Sequence, residues 1–246
     1  MVTAHAARSR PRVVVAGATG LVGRAVLALL AGRPTAPGLP RCLSLTALVR
    51  QPAQLAGWPA GVKAQLIDLS ALGRAGVEGL PPLDWAVCCL GTTIKAAGSQ
   101  AAFRAVDFDA VLAFARAAKV AGASRLAVVS AMGARPRSSV FYNRVKGEME
   151  QALIALDLPR LVIAQPALLL GERATLGQAS RPGEALAQHL LPRIARLLPP
   201  NLRPIRAEAV ALALITALAA DGPAVSRLSS AQLQALADPA PPRPKP

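Results

Sequence analysis

The chain contains a single tyrosine, Tyr142, and four residues later stands Lys146, one of only five lysines among 246 residues. On a helix, positions i and i+4 share a face, so a helical stretch here sets an ammonium beside a phenol. An ammonium in that position favours the phenolate and lowers its pKa from about 10 toward working pH. Such a tyrosine can give a proton to a carbonyl being reduced or take one from an alcohol being oxidised. Ser130, twelve residues upstream at the end of an apolar run, is placed to hydrogen-bond the same oxygen. Ser130, Tyr142 and Lys146 are therefore the candidate catalytic residues.

A second pattern lies near the N-terminus. Gly17-Ala18-Thr19-Gly20-Leu21-Val22-Gly23 follows a run of valines and opens a helical pattern. This GxxGxxG spacing meets the needs of a dinucleotide loop. Gly17 permits a tight turn, Gly20 lets the backbone approach a pyrophosphate, and Gly23 allows close helix packing. The helix that starts there offers free N–H groups and a partial positive charge to phosphates. A strand before and a helix after make the motif specific.

An absence points to the nucleotide. Sites specific for NAD place an acidic residue on the ribose 2′-hydroxyl about 20 residues past the loop, yet no Asp or Glu occurs from Met1 to Ile67. The second strand pattern instead runs into Arg50, which can stack on adenine and pair with a 2′-phosphate. Arg24 is a second candidate for that role. The expected cofactor is NADP(H) in preference to NAD(H). Asp68 is placed to accept from the adenine amino group, and Leu90, Gly91 and Thr92 to wall the adenine ribose. Leu69 and Pro166 complete the expected lining together with Thr19, Leu21 and Val22, and Tyr142 and Lys146 reach the nicotinamide ribose.

These residues need a scaffold, and the apolar pattern supplies one. Short β-rich runs at 13–16, 43–49, 64–67, 85–90, 126–129 and 161–164 alternate with helical spacing at 21–30, 101–120 and 143–156. Strands apolar throughout, with helices between them, form a parallel sheet covered on both faces. The fold class is a doubly wound α/β domain over 12–237, preceded by a flexible basic segment, 1–11. Residues 172–206, rich in Arg, Pro and Gly, read as a substrate-capping region. A helix follows over 208–220, Ser229-Ser230 cap another near Ala237, and 238–246 is a Pro-rich disordered tail.

Composition removes several alternatives. An apolar fraction of 53% excludes disorder of the whole chain. Two His and three Cys are too few to fill a zinc coordination sphere readily, and no metal is expected. The net charge of +15 suits anionic ligands. The arginines are scattered, however, and no basic run, finger spacing or RNP-like aromatic motif points to nucleic acid. Neighbouring Cys88 and Cys89 on one strand point to opposite faces and read as inert core thiols, suiting a reducing cytosol. No segment has the apolar core of a signal peptide or the length of a membrane span, so the expected location is the cytoplasm.

The glycine loop, Ser130 and the Tyr142/Lys146 pair resemble the short-chain dehydrogenase/reductase superfamily in its extended or atypical branch. CCLGTTIKAAG (88–98), VKGEME (145–150), QPALLLGER (165–173) and SRPGE (180–184) resemble the Tat-interacting oxidoreductase family, with the similarity running from about residue 12 to 220. The resemblance implies a Rossmann fold, bound NADPH, and Ser130, Tyr142 and Lys146 in the superfamily's catalytic roles. Two positions depart from its pattern: Asp107 stands where an Asn commonly helps hold a proton-relay water, and Gln165-Pro166 replaces Arg-Pro. The leading reading is an NADPH-dependent oxidoreductase acting on a small carbonyl or alcohol. A regulatory NADPH-binding protein with a cofactor-dependent protein partner, and a sugar-nucleotide epimerase or dehydratase, are the alternatives. By analogy, the helix over 143–156 offers a homodimer face.

Overall fold

The structure is a computed structural model that describes residues 10–32, 39–51, 58–68, 79–170 and 198–238. The expected N-terminal segment up to residue 9, Leu69, the capping region up to 197 with its SRPGE stretch, and the tail from 239 lie outside the described residues. Nine strands run through those described: β1 (Arg12–Ala16), β2 (Ser44–Val49), β3 (Val62–Leu66), β4 (Trp85–Cys88), β5 (Arg125–Val129), β6 (Arg160–Gln165), β7 (Leu169–Leu170), β8 (Ile205–Arg206) and β9 (Val225–Ser229). Seven form one sheet in the order β3-β2-β1-β4-β5-β6-β9, and every neighbouring pair is parallel. β7 and β8 make a separate two-stranded parallel ladder.

The described helices are α1 (Leu21–Ala31), α2 (Ile94–Ala97), α3 (Gln100–Arg104), α4 (Val111–Val120), α5 (Phe141–Ile154), α6 (Ala207–Ala219) and α7 (Ser230–Ala237). The period-2 geometry of a strand divides β1 between two cores. Val13 and Val15 join α1 and α6 on one face, while Val14 and Ala16 join α4 and α5 on the other. Because both faces are covered at the centre of the sheet, β1, β2, β4, β5 and β6 are mostly apolar rather than alternating. The doubly wound α/β arrangement read from the sequence is the observed one.

The chain moves outward from β1 through β2 to β3, then returns to start the other half at β4. The sheet order therefore reverses between β1 and β4, and in such sheets the crevice outside the carboxyl ends at that point receives the ligand. The glycine loop leaves β1 there, and Leu90-Gly91-Thr92 leaves β4 beside it.

Three features differ from the sequence pattern. The helix expected over 101–120 is interrupted by a π-helical turn, Ala105–Ala110, between α3 and α4. The edge strand β9 was not expected, because V-S-R-L-S is only partly buried and lacks a continuous apolar run. β4 ends at Cys88, so Cys89 and Leu90 turn off the sheet. At the C-terminal end of β9, Ser229 caps α7 in reciprocal hydrogen bonds with Gln232.

Candidate functional site

Each glycine of the loop has a distinct geometric cause. Gly17 has φ +72°, and a Cβ there would lie 2.4 Å from the Cys89 carbonyl carbon and oxygen. A Cβ on Gly23 would lie 2.2 Å from the Gly17 oxygen, so α1 presses on its own loop. At Gly20 the nearest atom to an added Cβ is 3.4 Å away, so intrachain packing does not require glycine there, whereas approach of a ligand to the backbone does. Gly20 caps α1 without a side chain, and the first-turn N–H groups of Leu21, Val22 and Gly23 have no intrahelical acceptor. A phosphate fits this cradle. Arg24 turns back, and its Nε donates to the Thr19 carbonyl at 3.2 Å, which pins the loop. Arg50 follows β2 and Asp68 follows β3; both are exposed at the carboxyl end of the sheet.

Opposite the loop, Cys89 donates its N–H to Ala16 at 2.8 Å, holding the β4 exit against β1. The Thr92 N–H donates to Asp107 Oδ2 at 2.8 Å. The π-helical turn carries Asp107 inward, where its side chain is 1% exposed and its other oxygen lies 2.8 Å from Lys146 Nζ. Lys146 is itself only 3% exposed. Burial would push this ammonium down, but the Asp107 charge outweighs burial and holds Lys146 above the ordinary lysine value. A Cβ added to Gly91 would come within 3.4 Å of Asp107 Oδ1 and 3.8 Å of Lys146 Nζ. The ammonium thus abuts the wall of the nucleotide crevice.

Tyr142 and Lys146 occupy successive turns of α5, as their spacing requires. The Tyr142 ring is half-buried and packs on the fully buried Phe103, with centroids 5.3 Å apart. Gly147 allows α5 to approach the loop before it, since a Cβ there would lie 2.2 Å from the Arg135 carbonyl carbon. Pro166, just past β6, is buried, and its carbonyl accepts from the Met132 N–H at 3.0 Å.

Ser130 follows β5, is 5% exposed, and donates its hydroxyl to Glu150 Oε1 at 2.5 Å. Glu150 also receives Gln165 Nε2, at 2.9 and 3.1 Å, and Arg227 Nε at 3.1 Å. A carboxylate only accepts, so the Ser130 proton is committed to Glu150 and only its lone pairs remain for another donor. The sequence reading missed Glu150 and Arg227. The available signal was the third member of an i, i+4, i+8 series, Tyr142, Lys146, Glu150.

Burial raises the Cys88 thiol to about 12, which keeps it neutral and unreactive at ordinary pH. Among the described residues no group of three His, Cys, Asp or Glu could hold a metal, and no helix is long and apolar enough to cross a membrane.

A family model described as NAD(P)H-binding matches residues 17–195, from the first loop glycine onward. The chain belongs to this NAD(P)H-binding family. Within it the sequence is similar to protein FMP52-1, mitochondrial, of Scheffersomyces stipitis, 34% identical over 65% of this chain and 68% of that protein. It is similar to protein fmp52, mitochondrial, of Emericella nidulans, at 32% over 72% of each. Protein HTATIP2 of Rattus norvegicus is 43% identical over 43% of this chain and 41% of its own length, in line with the family resemblance read from the sequence. Among solved structures, the WbmG enzyme of Bordetella bronchiseptica in complex with NAD superposes with TM-score 0.63 at 16% identity, covering 93% of this chain and 74% of that one. A UDP-N-acetylglucosamine 4-epimerase from Methanobrevibacter ruminantium gives 0.61 at 16%, covering 90% and 77%. These two likenesses establish the fold.

The FMP52 relatives correct one expectation. They are named mitochondrial proteins, against the cytoplasmic placement read from the sequence. Free thiols suit a reducing compartment, but they do not separate the cytosol from other reducing compartments.

Proposed function

We propose that this NAD(P)H-binding protein is an NADPH-dependent oxidoreductase of short-chain dehydrogenase type acting on a small carbonyl or alcohol. The observation that carries the reading is the placement of the only tyrosine one helical turn before a buried lysine whose ammonium abuts the nucleotide crevice at Gly91. The loop 17–23 holds the pyrophosphate, Arg50 the 2′-phosphate, and Asp68, Leu90, Gly91, Thr92 and Pro166 line the remainder. When bound, the nicotinamide supplies or accepts hydride at the substrate carbon. Tyr142 donates its phenolic proton to the carbonyl oxygen, or removes the alcohol proton in the reverse direction. Lys146 steadies the charge on that phenol. Ser130, its proton directed to Glu150, accepts a hydrogen bond from the substrate hydroxyl and fixes its position.

Met132, Val140 and Leu168 are exposed on the segments that follow β5, lead into α5 and follow β6. They give this end of the sheet an apolar rim, favouring substrates with an apolar body. The relatives' names favour a mitochondrial setting.

A panel of aliphatic and aromatic aldehydes, ketones and alcohols, followed by NADPH absorbance, tests the reading; no turnover across the panel in either direction rejects it. The nucleotide preference has its own test. Arg50→Ala should weaken NADPH binding about tenfold, the loss of one charge-assisted phosphate contact, and leave NADH binding unchanged. Equal affinity of the wild type for NADPH and NADH rejects the assignment.

A further inference from the structure

We infer that Asp107 is a positioning residue that acts through Lys146 to hold Tyr142 as a phenol, so that the site is poised to give a proton rather than to take one. The inference rests on the proposed proton-transfer site, but its test needs no substrate. The first support is geometric. Asp107 Oδ1 lies 2.8 Å from Lys146 Nζ, and both side chains are out of solvent. The neighbours of the acid are both donors, the ammonium and the Thr92 N–H at 2.8 Å, one facing each oxygen. An ammonium with a carboxylate in contact favours phenolate one helical turn away less than a lone ammonium would.

The second support is the backbone. Asp107 reaches Lys146 from a π-helical turn inserted between α3 and α4. Such turns are rare and frequently mark functional sites. Immediately N-terminal to this turn, Phe103 packs on the Tyr142 ring, so one segment positions the phenol and carries the countercharge to its lysine.

Few other charges compete. On α5 itself, Tyr142 precedes Lys146 and Glu150 follows it, with Glu150 bonded to Ser130, Gln165 and Arg227. From β4, Cys88 faces the pair as a neutral thiol. Arg104, from α3, is paired with Glu148. An amide at position 107 would offer one acceptor oxygen to two donors, the Thr92 N–H and the ammonium, and would carry no charge to compensate the lysine.

Because the chain has one tyrosine, its ionisation can be read directly from tyrosinate difference absorbance near 295 nm. The full chain would be titrated while far-UV circular dichroism confirms that it stays folded. Asp107→Asn should move the tyrosinate midpoint about one pH unit below the wild type's, and Asp107→Ser should do the same if the amide folds poorly. Asp109→Asn, an exposed charge on the same turn, should leave the midpoint in place. An unchanged or higher midpoint in the folded Asp107 variants overturns the inference, as does an equal shift in Asp109→Asn. A downward shift confined to position 107 supports it even where the carbonyl panel shows no turnover, so failure of the enzyme reading and failure of this inference are told apart.

Discussion

Tyr142→Phe should lower kcat for carbonyl reduction by 10²–10⁴-fold, the range set by loss of a positioned general acid, while NADPH affinity stays within about threefold. The substitution removes one oxygen and little else. The ring packs on Phe103 at a tilt of 40°, a contact the phenyl retains. The proposed nucleotide cradle is Gly17, Gly20, Gly23 and the first turn of α1, none of which depends on the phenol. The loss should therefore fall on turnover and spare binding. Ser130→Ala should cost less, because the Ser130 proton already goes to Glu150 and the lost contribution is an acceptor. Stopped-flow reduction of an active carbonyl, with NADPH binding followed by fluorescence, separates the two effects. A Tyr142→Phe enzyme with wild-type turnover would remove the phenol from the reaction.

The parts of this site legible in the sequence are those whose constraints are local. Gly23 is fixed by backbone within one turn and Gly17 by its own positive φ as well as by the Cys89 backbone, and the sequence around them carries its own context of valine run, loop and helix. Tyr142 and Lys146 stand out because each is rare in this chain and their spacing fits one helix face. The sheet was legible for the same reason: buried parallel strands advertise themselves as apolar runs, and only the edge strand β9, half exposed and carrying Arg227, escaped.

What escaped in the site depends on the third dimension. Glu150 looks like an ordinary helix-surface charge until β5, β6 and β9 bring Ser130, Gln165 and Arg227 around it. Asp107 depends on a π-helical turn, which has no period of its own in a pattern that otherwise reads as continuous helix from 101 to 120. The resemblance places Asp107 at the proton-relay position, but its contact with Lys146 cannot be read from spacing. The consequence is chemical as well as geometric, since the sequence shows a lysine beside a tyrosine and the fold shows a lysine already paired.

That pairing predicts the largest stability effect in the molecule. Lys146→Met should cost about 3–5 kcal/mol, because removing one partner of a buried ion pair strands the other charge. The methionine fills much of the lysine stem's volume, so the loss reports charge rather than a cavity, and Asp107 keeps only the Thr92 N–H of its two donors. Adding Asp107→Asn to Lys146→Met should recover most of the loss, since the amide carries no charge to strand. The pH dependence has a definite sign. Burial opposes the ammonium, but the Asp107 charge outweighs it and raises Lys146 above its ordinary 10.5. A folded-state value above the unfolded one contributes stability that is fully present below about pH 10.5 and is lost as pH rises through the folded value. Urea unfolding at pH 7 and in steps above pH 10 should therefore show the wild type losing this contribution while the Lys146→Met chain, which lacks it, does not. A loss below 1 kcal/mol at pH 7, or parallel alkaline curves for the two proteins, would mean that the contact between Lys146 and Asp107 contributes little to the fold.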